Sequence, residues 1–318
     1  MNVIAPPASG VRHPWSGLPA DFRGAVEGIL GAPVVEAHSQ NGGFSPGVAA
    51  RVRLADGRRA FVKAVSAETN PDSPALHRAE ARHTAALPPG TPAPRLLGSY
   101  DDGVRVALVL QDIDGRQPRV PWDAAELDRV LAAVTELGAA LTPAPVDAPA
   151  VAVRKATMFS GWRTLLADGG ADGLDPWAAR RLDLLAELEA GWEGPASGDS
   201  LAHSDLRADN ILLTDDRVYF VDWPHAVRAA PWFDLLAMAP CVAAQGGPDP
   251  EALFTTHPLG RDADPAGVTA VLAALTGYFL SHALRPAPPG LPTLRAFQRA
   301  QGMAALRWLR GRLGDPAV

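Results

Sequence analysis

The order of apolar and polar residues divides the chain into a first part with strand periodicity and a longer second part with helical periodicity. Alternation predicts strands over residues 48–54 and 59–65, joined by the hairpin dipeptide Asp56-Gly57. The other elements predicted before residue 111 are a helix over 75–87 and strands over 34–37, 95–100 and 104–110. This order predicts a β-rich region that contains one main helix.

After residue 111 the apolar positions follow helical spacing. Asp123 with Glu126 forms a capping-box pattern, and Asp175-Pro176 is an N-cap followed by proline at the first helical position. The other elements predicted here are short strands over 210–213 and 218–221 and a last helix over 293–313. We therefore expect an α+β protein with a β-rich N-terminal lobe (1–111) and a larger, mostly helical C-terminal lobe (112–318), joined by a hinge at about 109–115.

The segment LAHSDLRADNILL places polar residues between two apolar runs. These residues are His203, Asp205, Arg207, Asp209 and Asn210. The segment is either a polar turn between buried strands or a loop that holds a reaction site. His203, Asp205 and Asn210 have the spacing H-x-D-x-x-x-x-N, and Asp222 ends an apolar strand twelve residues later.

Lys63 interrupts the apolar alternation of FVKAV, and Glu80 follows on the predicted helix. A glycine-rich segment, NGGFSPG, precedes Lys63 between two strands. Taken alone, each feature has an ordinary structural explanation: an exposed strand lysine, a solvated helix acid and a hairpin turn. Glu68, in the loop before the helix, is a rival partner for Lys63.

Taken together and in this order, these parts resemble the catalytic set of the protein-kinase-like superfamily. The resemblance is closest to the aminoglycoside phosphotransferase family, which includes choline-kinase-like and other small-molecule kinases. It covers roughly residues 34–285 and is most specific at LAHSDLRADNILL, VYFVDWP and APWFDLLAMA. Pro231 follows Asp222 by only nine residues, which leaves no room for the activation segment of a switchable protein kinase.

The resemblance implies a bilobal protein-kinase-like fold that uses ATP as co-substrate and Mg²⁺ as cofactor. The reaction it implies is transfer of the γ-phosphate to a hydroxyl of a small molecule, such as an antibiotic, a sugar, an amino alcohol or a natural-product intermediate. The implied residues are Asp205 as base, Arg207 near the transferred group, His203 and Asp234 as loop braces, Asn210 and Asp222 as metal ligands, and Lys63, Glu80, Gly42, Gly43, Phe44, Ser45, Gly47, Gln111, Asp112 and Ile113 around the nucleotide.

Two alternatives are weighed against this hypothesis, and a protein kinase is kept as a minor enzyme alternative, opposed by the missing activation segment. One is a catalytically silent nucleotide-binding protein of the same fold, which the presence of the lysine, the base and the metal ligands disfavours. Another is a scaffolding protein whose polar loop is only a turn. For Asp234, the alternative to a loop brace is an acid placed at a helix N-terminus by the helix dipole.

The sequence leaves the acceptor open. Acidic residues that would suit a polycationic aminoglycoside are Asp209, Asp249 and Glu251. The last predicted helix instead carries Arg295, Arg299, Arg307, Arg310 and Arg312, which would favour a neutral or anionic alcohol if that helix borders the acceptor. Trp162 and Trp223 are candidates either for stacking on a ring or for the core.

Composition narrows the class of protein further. The 318 residues carry a net charge of -6, which gives no sign of a nucleic-acid-binding surface, and lysine occurs only at positions 63 and 155. Cys241 is the single cysteine, so no intrachain disulfide can form. We expect no signal peptide and no membrane span, and therefore a cytoplasmic protein with no nucleic-acid or membrane partner.

Overall fold

The computed structural model describes residues 5–7, 10, 12–40, 42–44, 47–170, 172–288 and 290–315. Its N-terminal lobe contains α1 (Ala20–Leu30), β1 (Val34–Ser39), β2 (Val48–Leu54), β3 (Arg59–Ser66), α2 (Ser73–Ala86), β4 (Leu96–Asp101) and β5 (Arg105–Gln111). The strands form an antiparallel sheet in the order β1-β2-β3-β5-β4. The predicted strands and the helix that carries Glu80 are therefore confirmed.

Helix α1 was missed by the sequence analysis. Phe22, Val26 and Leu30 are buried at intervals of four residues, and Gly31 ends the helix with a φ of 74°. Glycines at positions 24 and 28 lower the helix propensity of this segment. Packing of the apolar stripe against the sheet outweighs that cost.

The two faces of β3 pack in different apolar clusters. Val62 and Ala64 point into the cluster that contains α1, whereas Phe61 and Val65 pack in the cluster that contains Ala81 of α2. Since strand side chains alternate, Lys63 lies on the α2 face. The same alternation that predicted the strand thus aims Lys63 at the helix that carries Glu80.

Gly47, directly before β2, has a backbone conformation that favours glycine. Its φ is 108°, and a Cβ built there would lie 2.5 Å from Ala64 O. Gly57, with a φ of 85°, would place a Cβ in open space.

We expect Gly47→Ala to lower the free energy of unfolding by more than Gly57→Ala does. The left-handed backbone alone costs roughly 1–2 kcal/mol at either position, and only position 47 adds a backbone clash. Urea unfolding of the two variants measures the difference. Equal losses would contradict the close approach of β2 to β3.

The C-terminal lobe is mostly helical. Its elements are α3 (Ala124–Ala140), α4 (Val151–Lys155), α5 (Gly161–Ala167), α6 (Pro176–Ala179), α7 (Leu182–Ala190), α8 (Glu193–Ala196), β6 (Ser200–Ala202), β7 (Ile211–Leu213), β8 (Val218–Phe220), β9 (Val227–Ala229), α9 (Phe233–Ala244), α10 (Pro250–Thr256), α11 (Pro265–Ala283) and α12 (Leu294–Arg312). The hairpin β7–β8 and the last helix are close to their predicted bounds.

Two predicted helix starts are confirmed. Asp123 accepts a hydrogen bond from the Glu126 N–H at 3.1 Å, and Asp175 accepts one from the Trp177 N–H at 2.9 Å. The helix that begins at Pro176 is only four residues long, however, and a separate helix, α7, follows it.

Helix α11 is long and apolar enough to cross a membrane, a property that the sequence analysis overlooked. In the structure, 72% of its most apolar stretch is buried, and the helix packs against α5, α7 and α12. Within the described residues it is the central helix of the C-terminal lobe.

Candidate active site

Three charged side chains meet between the two lobes. Lys63 Nζ lies 2.6 Å and 2.8 Å from the two carboxylate oxygens of Glu80, and 2.7 Å from Asp222 Oδ1. Lys63 comes from β3, Glu80 from α2, and Asp222 from the segment after β8. Glu80, rather than Glu68, is therefore the partner of Lys63.

Electrostatics favour the charged forms of Lys63 and Asp222 in this cluster. Burial alone would lower the pKa of Lys63, but Asp222 and Glu80 outweigh it, so the pKa is raised. Burial would raise the pKa of Asp222, but the field of Lys63 outweighs it and the pKa is lowered. Burial raises the pKa of Glu80 despite the nearby ammonium. Asp222 has a positive φ of 72°, so its backbone is held in an unfavourable conformation at this point.

Asp234 holds the loop between β6 and β7 from the first turn of α9. Its two carboxylate oxygens accept hydrogen bonds from the His203 N–H at 2.7 Å and the Ser204 N–H at 2.6 Å. The carboxylate is therefore bonded to the loop, as the resemblance implied.

His203 joins the same loop to the segment that carries Asp222. Its Nε2 lies 3.0 Å from Val221 O, and its Nδ1 lies 3.2 Å from the Asp205 N–H. The carbonyl must accept and the amide must donate, so the imidazole carries its proton on Nε2. His203 is fully buried, which fits a bracing role.

We expect Asp234→Asn to destabilise the protein by about 1–3 kcal/mol, because an amide nitrogen cannot accept one of the two buried N–H bonds. The turnover number should fall as well. Asp249→Asn is the matched control, since Asp249 caps α10 and asparagine caps equally well. Denaturant unfolding and turnover of both variants test this role. Indistinguishable variants would show that Asp234 is only a helix-terminal acid.

Both carboxylate oxygens of Asp205 accept hydrogen bonds. Arg207 Nη1 donates to Oδ1 at 3.0 Å, and Asn210 Nδ2 donates to Oδ2 at 3.1 Å and to the Asp205 carbonyl at 2.9 Å. Arg207 is also paired with Asp209 through two hydrogen bonds of 3.0 Å and 2.9 Å. Its guanidinium lies near the rings of Phe44 and Phe297, 5.4 Å and 5.6 Å from their centroids.

The donor set suits a hard cation such as Mg²⁺. The amide nitrogen of Asn210 donates to Asp205, so Asn210 Oδ1 remains available as a metal ligand. Asp222 binds Lys63 through Oδ1, which leaves Oδ2 available. The Val221 N–H donates to Asn210 O at 2.9 Å and so holds the two segments side by side.

Two cavities adjoin at this cluster. One, of about 430 Å³, is lined by Lys63, Asn210 and the hinge, and the other, of about 350 Å³, is lined by Asp205. Glu80 and Asp222 line both. Asp205 and Asn210 are hydrogen-bonded to each other, yet they face different cavities.

The glycine-rich loop covers the first cavity with Gly42, Gly43 and Phe44. Gly47 instead packs against β3, and Ser45 lies outside the described residues. Phe44 lines both cavities and makes an edge contact with Phe297 of α12, at 5.2 Å between ring centroids. The loop therefore contacts the opposite lobe.

The hinge residues Gln111, Asp112 and Ile113 line the first cavity. The Asp112 carboxylate is bound by Arg51 at 2.7 Å and Arg59 at 2.8 Å. The Gln111 N–H donates to Arg95 O, whereas the Ile113 N–H meets no acceptor among the described residues. The backbone at Ile113, rather than the Asp112 side chain, is thus available to a ligand.

Arg12 was missed by the sequence analysis. It lines the first cavity, donates to Gly42 O, and belongs to a segment bridged to Gly47. Burial lowers its pKa, while Asp222 acts in the opposite direction. No periodic pattern marks residue 12, and only its pairing with the distant glycine-rich loop brings it here.

Several candidates for acceptor binding lie elsewhere. Trp162 is fully buried and donates to Ala273 O at 2.9 Å, and Trp223 is 1% exposed and packs on His203, so both are core residues. Asp249 caps α10, and Glu251 binds Arg312 at 2.7 Å.

Helix α12 does border the second cavity, but not with its arginines. The residues of α12 that line the cavity are Leu294, Phe297, Gln298 and Gln301. Arg295, Arg299, Arg307, Arg310 and Arg312 are not among the residues that line this cavity, so they supply no direct contact there.

A sheet-based lobe and a helical lobe, with the charged cluster between them, define a protein-kinase-like phosphotransferase fold. The sequence profile of the phosphotransferase enzyme family matches residues 41–262, so the chain belongs to that family. No curated protein sequence matches the chain.

Solved structures share the fold at low identity. A thermostable mutant of the aminoglycoside phosphotransferase APH(4)-Ia, in ternary complex with ADP and hygromycin B, has a TM-score of 0.59 and 13% identity; the match covers 92% of this chain and 98% of that one. A choline/ethanolamine kinase family protein from Mesorhizobium loti has a TM-score of 0.59 and 16% identity. That match covers 93% of this chain and 95% of the other. The amicoumacin kinase hAmiN, in complex with AMP-PNP, Ca²⁺ and Ami, has a TM-score of 0.52 and 11% identity. Here the match covers 81% of this chain and 85% of the other.

Proposed function

We propose that the protein is an ATP-dependent kinase that transfers the γ-phosphate of ATP to a hydroxyl group of a small molecule. One observation carries this proposal: Asp205 lines one cavity, Lys63 and Asn210 line the other, and Asp222 lines both. A donor and an acceptor bound in these cavities would meet at Asp205. Family membership and the nucleotide complexes of the structural neighbours support ATP as the donor.

The first cavity would bind ATP. The Ile113 N–H is available to the adenine, and Gly42, Gly43 and Phe44 would cover the phosphates. Lys63, oriented by Glu80, would bind the α- and β-phosphates, and Arg12 adds a second cation to this cavity.

Asn210 and Asp222 would hold Mg²⁺ through Asn210 Oδ1 and the Asp222 carboxylate. When bound, the ion would neutralise the charge of the phosphates. Lys63 occupies one oxygen of Asp222, which orients the carboxylate before a ligand arrives.

Asp205 would act as the base. The acceptor hydroxyl would donate a hydrogen bond to its carboxylate and pass its proton there as the oxygen forms a bond to the γ-phosphorus. The bond from that phosphorus to the bridging oxygen breaks, and ADP leaves with the electron pair. Arg207, fixed by Asp205 and Asp209, would place positive charge beside the transferred group, while His203 and Asp234 hold the loop.

The division into lobes 1–111 and 112–318, the cytoplasmic location, and the absence of nucleic-acid and membrane partners stay predictions. Transfer of phosphate from Mg·ATP to a panel of neutral, anionic and cationic hydroxy compounds tests the function, with products identified by mass spectrometry. A phosphorylated product supports it. Binding of Mg·ATP without any transfer would favour a catalytically silent member of the fold.

A further inference from the structure

The cavity beside Asp205 combines an apolar wall with polar and charged side chains. Its volume of about 350 Å³ lies at the small end of the roughly 300–1,000 Å³ typical of small-molecule sites. Its apolar wall includes Met158, Phe159, Phe233, Leu275, Phe279 and Leu294. This wall suits an apolar or aromatic group of a ligand.

The acids around this cavity are either already paired with a cation or exposed. Of the described acids that line it, Glu80 and Asp222 bind Lys63, Asp205 binds Arg207, and Asp72 is exposed.

Two histidines add no charge at neutral pH. Burial lowers the pKa of His77 and of His225 to about 4, so both rings are neutral at pH 7. An ammonium group of an acceptor would find no uncommitted acid in the buried part of this wall, as far as the described residues show.

Lys155, at the end of α4, lines the same cavity and is only 6% exposed. Its ammonium forms no hydrogen bond or ion pair with the described residues, although Asp205 and Asp234 lie near enough to raise its pKa against the effect of burial. Arg207, by contrast, is paired with Asp205 and Asp209. Burial lowers the pKa of Lys155 to about 8, so the folded protein bears the cost of a desolvated cation.

Ser204 offers a second unsatisfied group. Its buried Oγ has no hydrogen-bond partner among the described residues, and the residue lines the same cavity. Its φ of 68° is a conformation in which glycine would be less strained. A serine held there therefore places a free hydroxyl next to Asp205.

We propose that the acceptor is an apolar hydroxycarboxylate whose carboxylate pairs with Lys155 while its hydroxyl faces Asp205. This inference rests on the proposed phosphotransferase function. One carboxylate would form the direct ion pair that Lys155 does not make with Asp205 or Asp234, and Ser204 would donate a further hydrogen bond to it. The aromatic wall would bind the rest of the molecule.

The two lysines allow a direct test on the full-length protein. Labelling with ε-¹³C-lysine gives two side-chain signals, from Lys63 and Lys155, which Lys155→Met assigns. The probes are para-hydroxymethylbenzoate, its methyl ester and para-hydroxymethylbenzylamine, which share the ring and hydroxyl and differ in charge. We expect the benzoate to shift the Lys155 signal and Mg·ATP to shift the Lys63 signal.

Affinities measured by calorimetry complete the test. The benzoate should bind about 10–100-fold more tightly than the ester or the amine, and Lys155→Met should abolish that preference. Lys155→Met should melt at the same temperature as wild type or higher, because it removes a buried cation that makes no direct ion pair. Arg154→Met, which removes the exposed neighbouring cation, should keep the preference.

Equal affinities for the three probes would overturn the proposal, and so would a preference that survives in Lys155→Met. A Lys155 signal unmoved by the benzoate would overturn it too, while a Lys63 shift with Mg·ATP would leave the nucleotide site standing. If the benzoate shifted the Lys155 signal but Mg·ATP did not shift the Lys63 signal, the anion site would be supported and the proposed function would not.

Discussion

Asp205→Asn is expected to lower the rate of phosphate transfer by about 10²–10⁴-fold, the usual contribution of a general base. Asparagine keeps the shape of the side chain and can still accept from Arg207, but it cannot take up the proton of the acceptor hydroxyl. The affinity for Mg·ATP should change little, because Asp205 does not line the nucleotide cavity. Single-turnover kinetics and nucleotide titration measure the two quantities separately.

Asp209→Asn is the matched control for this change. Asp209 also binds Arg207, but it lies on the nucleotide side of the loop. If both variants lost the same amount of transfer, the effect would come from displacement of Arg207. Full activity in Asp205→Asn would remove Asp205 as the base.

Lys63→Ala is expected to weaken Mg·ATP binding and to lower turnover by about 10²–10³-fold, as removal of a group that stabilises the transition state typically does. The variant also leaves Glu80, which is 3% exposed, without its cation. Glu80 should then take up a proton, because burial already raises its pKa. Calorimetric titrations with Mg·ATP in several buffers measure how many protons are taken up or released on binding. That number should differ between Lys63→Ala and wild type.

Arg53→Ala serves as the control for Lys63→Ala. Arg53 lies on the neighbouring strand β2 and forms an exposed ion pair with Glu36, so its loss should leave nucleotide binding unaffected. Kinetics of Lys63→Ala that match those of wild type would exclude the lysine from the phosphate site.

The predictable part of the site depends on short-range periodicity. Alternation along β3 fixes the face on which Lys63 lies, and helical spacing in α2 places Glu80 opposite it. The spacing from His203 to Asn210 fits one loop and the start of one hairpin strand. Each of these relations joins residues within one or two neighbouring elements, and local patterns determine them.

The unpredicted part depends on contacts between distant segments. Arg12 reaches the glycine-rich loop through an isolated β-bridge to Gly47, and no local sequence pattern indicates that bridge. The cavity beside Asp205 combines Lys155 of α4, Ser204 of the loop between β6 and β7, and Phe297 of α12. The sequence analysis weighed the arginines of α12 on the condition that this helix borders the acceptor, whereas Leu294 and Phe297 are the apolar residues of α12 that line the wall.

A crystal structure of the complex with Mg²⁺ and a non-hydrolysable ATP analogue would test the central claim most directly. The account predicts α- and β-phosphates on Lys63, the metal between Asn210 and Asp222, and a terminal phosphate that faces Asp205 across the boundary of the two cavities. An analogue bound outside the cleft, or one whose terminal phosphate points away from Asp205, would contradict it.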